Sequence, residues 1–221
     1  MTLLNTAAIG PTPQTVWPAT GYADGSKRLL DIALALLLLP VAALLIAPLY
    51  LLVRLQGGPG FYPHERIGRD GTPFACWKIR TMVPGAEARL AAMLSHPSAR
   101  AEWTRSHKLR HDPRVTRLGR WLRATSLDEL PQLWNVLRGE MSLVGPRPVT
   151  ASELDDYGAG RAAYLSLRPG ITGLWQVSGR NRLSFDARVA LDMAYRDRVS
   201  LGTDLGILLR TLREVITRSG Q

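Results

Sequence analysis

A mainly helical α+β chain with one small β-hairpin and a membrane-inserted N-terminal segment is what this sequence predicts. Three observations carry that prediction. The first is "KRLLDIALALLLLPVAALLIAPLYLLVR", where the 25 residues between Arg28 and Arg54 carry one charge, Asp31. About 20 apolar residues suffice to cross hydrocarbon, and the run is too long for a signal peptide. The second is "FYPHERIGRDGTPFACWKIRTM", two short β-type runs around an Asp70-Gly71 turn. The third is a set of amphipathic helical stretches, with 46% hydrophobic content overall, enough to bury a core.

Taken in order, residues 1–26 are rich in Pro, Thr and Ala and predict a flexible tail. Residues 27–56 form the membrane segment. Pro40 removes a backbone donor near its middle and frees the Leu36 carbonyl, and Pro48 does the same nearer the end. Two readings stand: a kinked span, or a re-entrant hairpin of two half-helices broken near Pro40. Basic residues at both ends (Lys27, Arg28 and Arg54) pull both toward the cytoplasm. Lys27 and Asp31, at i and i+4, are expected to pair.

Residues 57–221 then form one domain at the membrane surface. Residues 86–109 read as helix interrupted at Pro97. In "DPRVTRLGRWLR", Asp112 is the expected N-cap with Pro113 at the first helical position. Val115, Leu118 and Leu122 make its apolar stripe beside Trp121, while Arg114, Arg117, Arg120 and Arg123 recur every three residues. Such a basic amphipathic helix suits a membrane interface. "DLGILLRTLREVITRSG" repeats the design, with Leu205, Leu208, Leu209, Leu212 and Val215 on one face.

The net charge of +10 predicts anionic partners: lipid, phosphorylated substrate or nucleic acid. Nucleic acid is disfavoured, because the aromatics do not interleave with the basic residues as a base-stacking platform would. The lone Cys76 excludes an internal disulfide framework, and His64, His96, His107 and His111 show no zinc spacing.

Against this basic background, "TSLDELPQLW" sets Asp128 beside Glu129. Ser126-x-x-Glu129 matches a capping box, but that register makes Pro131 the fifth helical residue, where it clashes with the preceding turn. A helix starting at Asp128 or later tolerates Pro131, yet leaves Glu129 without a structural task. Downstream, "RGEMSLVGPRP" stiffens the chain around Arg147 with Pro146 and Pro148, and Gly145 allows close approach of a ligand. "RPGITGLWQVSGRN" sets Arg168 before a Pro-Gly turn and Arg180 on a Gly turn. Fixed guanidiniums on stiff loops suit phosphate. A carboxylate pair near clamped phosphates points to phosphoryl chemistry with Mg²⁺, held by Asp128 and Glu129, and to carboxylate attack on phosphorus.

With "KRLLD", "WKIRTM", "DPRVTRLGRWLR", "TSLDELPQLWNVLRGEMSLVGPRP" and "RPGITGLWQVSGRN" in this order, the sequence resembles the bacterial sugar transferases, the monotopic phosphoglycosyltransferases. The resemblance implies transfer of a sugar-1-phosphate from a UDP-sugar to undecaprenyl phosphate, with release of UMP. A ping-pong route through a phosphosugar-aspartate, Mg²⁺ and a re-entrant membrane helix are implied with it. In this light Asp128 looks like the nucleophile, and Glu129 supports the metal or proton transfer. Arg147 looks like a phosphate binder. Lys78 and Arg80 are expected to face the diphosphate, and Arg168, Gln176 and Arg180 to meet nucleotide or sugar. The ending "QVSGRN" resembles hexose-phosphate transferases, implying glucose or galactose. Many relatives break the membrane helix at Ser-Pro, whereas this chain has Leu39-Pro40. The implied partners are donor, acceptor and membrane lipid, with a homodimer as a candidate assembly. The implied setting is the cytoplasmic face of a bacterial inner membrane, at the start of exopolysaccharide or O-antigen assembly.

Overall fold

The protein is described by a computed structural model covering residues 21–106, 109, 112–179 and 183–217. Helix α1 (Lys27–Arg54) is entered through a π-helical turn, Tyr22–Ser26, so the expected tail gives way to helix before residue 27. The first 20 residues lie outside the described ones. Pro40 and Pro48 both sit inside α1, whose backbone stays helical from Lys27 to Arg54. At 1.5 Å per residue it is about 42 Å long.

One stripe of α1 is buried: Lys27, Asp31, Ala35, Ala42, Leu49 and Val53, spaced by fours and sevens. The small Ala35 and Ala42 let the domain approach closely, and both join the main core with Leu133, Val136, Met141 and Val144. The other faces stay open, with Leu37 71% and Leu44 76% exposed. The expected Lys27–Asp31 pair does not form. Lys27 reaches Asp204 at 2.5 Å, while Asp31 accepts from the Leu143 amide at 2.9 Å and the Ser142 hydroxyl at 3.1 Å. Tertiary partners desolvate better than an i,i+4 neighbour at the helix surface, so they take both charges.

The hairpin follows as expected. Strands β1 (Phe61–Ile67) and β2 (Pro73–Ile79) pair antiparallel, with His64 opposite Cys76 and Tyr62 opposite Lys78. Asp70 (φ 58°) and Gly71 (φ 80°) supply the two positive-φ residues of the turn. Helices α2 (Ala86–Met93) and α3 (Pro97–Ser106) come next, Pro97 opening the second.

Helix α4 (Arg117–Thr125) starts later than its sequence suggests. Thr116, not Asp112, is the N-cap, its side chain accepting from the Gly119 amide at 2.8 Å. Asp112 instead grips Arg114 through both carboxylate oxygens (2.8 and 2.6 Å), and Val115 bridges to Met82. A bidentate ion pair and a β-bridge outweigh a single cap. Leu122 is fully buried while Trp121 is 46% exposed.

Helix α5 (Gln132–Arg138) leads to a parallel strand pair absent from the sequence expectations, β3 (Ser142–Val144) and β4 (Gly170–Thr172). Their three-residue lengths give no periodic signal. Between them lie α6 (Ala151–Asp155) and α7 (Arg161–Leu165). Gly145 lets these strands approach: a Cβ there would collide with the Arg168 carbonyl. Likewise Gly170 opens β4 instead of a Pro-Gly turn.

Helices α8 (Phe185–Asp197) and α9 (Leu201–Thr217) complete the fold. On α9, Ile207 is buried and Leu208 packs on the core, whereas Leu205, Leu209 and Leu212 are exposed. The stripe read as one face is therefore divided between core and surface.

Candidate active site

The Asp128–Glu129 pair sits on a 3-10 turn, Leu127–Glu129, between α4 and α5. Ser126 makes that turn by adopting φ 58°, a left-handed conformation costly for a residue with a Cβ. No capping box forms, and neither Ser126 nor Pro131 makes a side-chain cap bond. Pro131 lies immediately before α5, where its missing N–H is not needed. Buried Asn135 locks α5 onto β2. It accepts from the Trp77 amide (3.0 Å) and donates to the Ala75 carbonyl (2.7 Å). This clamp sets the height of the turn against the hairpin, and Lys78 meets Glu129 at 2.5 Å.

Asp128 is 7% exposed, and Glu129 is half-buried. Burial, then the neighbouring Glu129 charge, lifts the Asp128 carboxyl to about 6, against the pull of Lys78 and Arg123. Arg123 belongs to the basic series of α4 that suits a membrane interface. It instead stands in electrostatic reach of Asp128, its Nε bonded to the Thr81 hydroxyl at 2.8 Å. Its place next to the acids is the i+5 offset across a turn, which sequence periodicity does not report.

The even-numbered face of the hairpin continues the basic wall. His64 accepts at Nδ1 from Arg66 Nη2 at 3.1 Å, and burial with Arg66, Lys78 and Arg147 pushes its pKa down to about 4, so it is neutral. Arg147 lies over the Trp175 ring, 5.6 Å from its centroid. Period-2 alternation through Tyr62, His64 and Arg66 was the available signal for this row.

Not every expected residue is here. Arg80 turns away from the acids, its Nη2 donating to the Val53 (3.0 Å) and Gly57 carbonyls at the end of α1. Open C-terminal carbonyls and the helix dipole attract a guanidinium strongly, which explains where Arg80 settles. Arg168 similarly donates to the Gly139 carbonyl (2.8 Å), just past α5. Gln176 lies in the turn after β4, its buried Oε1 without a partner among the described residues. Arg180 lies outside the described residues.

Geometry therefore defines a mainly helical protein with one long apolar helix and a carboxylate pair, Asp128 buried and Glu129 half-buried, walled by Lys78, Arg123 and the hairpin's basic row. The chain belongs to the bacterial sugar transferase family, whose profile matches residues 22–218. It is 47% identical over 195 residues to the undecaprenyl-phosphate galactose phosphotransferase of Salmonella typhimurium, which covers 88% of this chain and 41% of that protein. It is 46% identical over 201 residues to the exopolysaccharide production protein ExoY of Rhizobium meliloti, covering 88% and 87%. Against the UDP-glucose:undecaprenyl-phosphate glucose-1-phosphate transferase of Caulobacter vibrioides it is 40% identical over 218 residues, covering 94% and 74%.

Proposed function

We propose that the protein transfers a hexose-1-phosphate from a UDP-sugar to undecaprenyl phosphate, with Asp128 as nucleophile. The observation that carries this reading is the desolvated carboxylate pair on a strained turn, faced by Lys78 and Arg123. A carboxylate oxygen of Asp128 attacks the sugar-bearing phosphorus, the bond to UMP breaks, and UMP leaves. An oxygen of the acceptor phosphate then attacks the same phosphorus, the bond to Asp128 breaks, and the carboxylate returns. Lys78, Arg123 and Arg147 neutralise the approaching diphosphate. Product names of the relatives support the donor and acceptor classes.

Asp128 and Glu129 offer the hard oxygen donors that Mg²⁺ accepts, with water and phosphate oxygens completing its shell. Among the described residues no group of three or more His, Cys, Asp or Glu competes for a metal. Bound there, Mg²⁺ would supply charge neutralisation on the phosphate oxygens.

Attack needs ionised Asp128, so the donor half-reaction is expected to fall as pH drops through about 6. Glu129→Gln removes a charge that raises the Asp128 pKa and should shift this acid limb to lower pH. Lys78→Met removes one that lowers it and should shift the limb upward. A stopped assay of UMP release across pH 4.5–8.5 reads both shifts; limbs that stay fixed count against Asp128.

Membrane attachment without crossing is part of the same reading. Arg28 donates to the Val136 and Leu137 carbonyls at one end of α1, and Leu49 and Val53 pack on Ile79 and Leu122 at the other. A helix laid along one domain over its length cannot deliver its ends to opposite faces without dragging that domain into hydrocarbon. The exposed leucines of α1 and α9, with Trp121 and Trp134, supply the apolar and aromatic contact with lipid. The proposed setting is the cytoplasmic face of the inner membrane. Cysteines introduced as Ser26→Cys and Gln56→Cys should both react with an impermeant maleimide from one side of sealed vesicles. Labelling from opposite sides would establish a span.

A further inference from the structure

Beyond Asp128 and its neighbours, the structure holds a second group of cations whose negative partners do not add up. Arg66, Arg147 and Arg188 surround Glu153 and Trp175. Glu153 is largely spoken for: its Oε2 accepts from Arg66 Nη1 at 2.8 Å and from the Thr150 amide at 2.9 Å. Its other oxygen faces Arg188 Nη2 only at 3.8 Å. Asp192, the other nearby acid, takes the Tyr157 hydroxyl at 2.9 Å. Arg147 makes no hydrogen bond or ion pair among the described residues, and its guanidinium lies over the Trp175 ring, as that of Arg188 does at 5.8 Å.

Trp175 and Arg188 are 8% and 9% exposed, yet the Trp175 Nε1–H and the Arg188 Nε–H are buried with no acceptor among the described residues. A buried donor left unpaired costs about 1–3 kcal/mol, more when charged, and folded proteins rarely tolerate several in one place. Here two such donors and an unpaired guanidinium converge on a single indole. What would satisfy them is one anion with several acceptor oxygens. The hairpin face that carries Lys78 also carries His64 and Arg66, and His64 feels both Lys78 and Arg147, so the group adjoins the Asp128 site.

We propose that Arg147, Arg188 and the Trp175 indole N–H form a phosphate subsite, with Arg188 and Trp175 as substrate-binding residues of the transfer reaction. This rests on the function proposed above and deepens it. The phosphate is either the one that leaves with the donor's nucleotide or that of the lipid acceptor; both present the same tetrahedral set of oxygens.

The variants are Arg188→Gln, Trp175→Phe, which deletes the N–H and keeps the ring, and exposed Arg161→Gln as a charge control. Calorimetry with UDP, KM for each substrate and thermal shift with inorganic phosphate are measured on the full chain in detergent. Arg188→Gln should weaken UDP about tenfold or more and Trp175→Phe by a few-fold, with Arg161→Gln unchanged. A raised KM for polyprenyl phosphate with UDP affinity intact supports the subsite and assigns it to the acceptor. Folded variants that leave both untouched overturn it. If the wild type turns over no UDP-sugar, the proposed function fails separately. Inorganic phosphate then decides: stabilisation of the wild type but not of Arg188→Gln supports the subsite, and no stabilisation overturns it.

Discussion

Asp128→Asn should remove transfer and make the protein more stable. Loss of the proposed nucleophile should lower turnover of UDP-sugar to UMP by roughly 10³-fold or more. Incubated with UDP-sugars and no acceptor, the wild type should gain the mass of one sugar phosphate, and the variant none. The stability change follows from linkage. The carboxyl rises from 3.8 to about 6 on folding, so between those values the native state holds more protons than the unfolded one. Stability contributed by the protonated form is present below pH 3.8 and is lost as pH rises through about 6. Above that, holding the ionised group in place costs about 3 kcal/mol. The neutral amide escapes this cost, so its Tm should exceed that of the wild type at pH 8, with the gap closing toward pH 4. An active Asp128→Asn protein would remove the basis of the proposed mechanism. A variant less stable at pH 8 would show that the carboxylate is held by favourable bonds, as a structural cap is.

Asp204→Ala should produce the largest loss of stability, about 3–5 kcal/mol, because it strands a buried ammonium. Asp204 is 1% exposed and accepts from Lys27 Nζ at 2.5 Å, the Tyr22 hydroxyl at 2.9 Å and the Tyr195 hydroxyl at 2.7 Å. This one carboxylate ties the start of α1 to α9 and α8, and burial followed by its charge raises the Tyr195 hydroxyl far above its ordinary value. The pair with Lys27 is non-additive by the same logic. Lys27→Met combined with Asp204→Leu should recover most of what Asp204→Ala loses, since no charge is left unpaired. Thermal unfolding of the three proteins in detergent checks this, and an unchanged Asp204→Ala midpoint would show that Lys27 reaches water.

Wherever the chemistry is local, the sequence read well. The apolar run of α1, the Asp70-Gly71 hairpin and the carboxylate pair with its misplaced capping box were all legible from spacing and residue type. Pro131 alone was enough to reject the register that would have made Glu129 a helix-start residue. Helical backbone continues through Pro40 and Pro48, and whether the helix spans or re-enters depends on the bilayer and not on residue spacing.

Determined by the sequence alone were the long apolar helix, the hairpin and the identity of the two acids, since each depends on neighbours within a few residues. Tertiary structure decided which cations serve them. Arg80 and Arg168 went to helix-end carbonyls, Arg123 came to Asp128, and Lys27 left Asp31 for Asp204. A charged side chain settles where desolvation leaves it the best partner, and that partner is set by which segments fold together, up to 177 residues apart for Lys27 and Asp204.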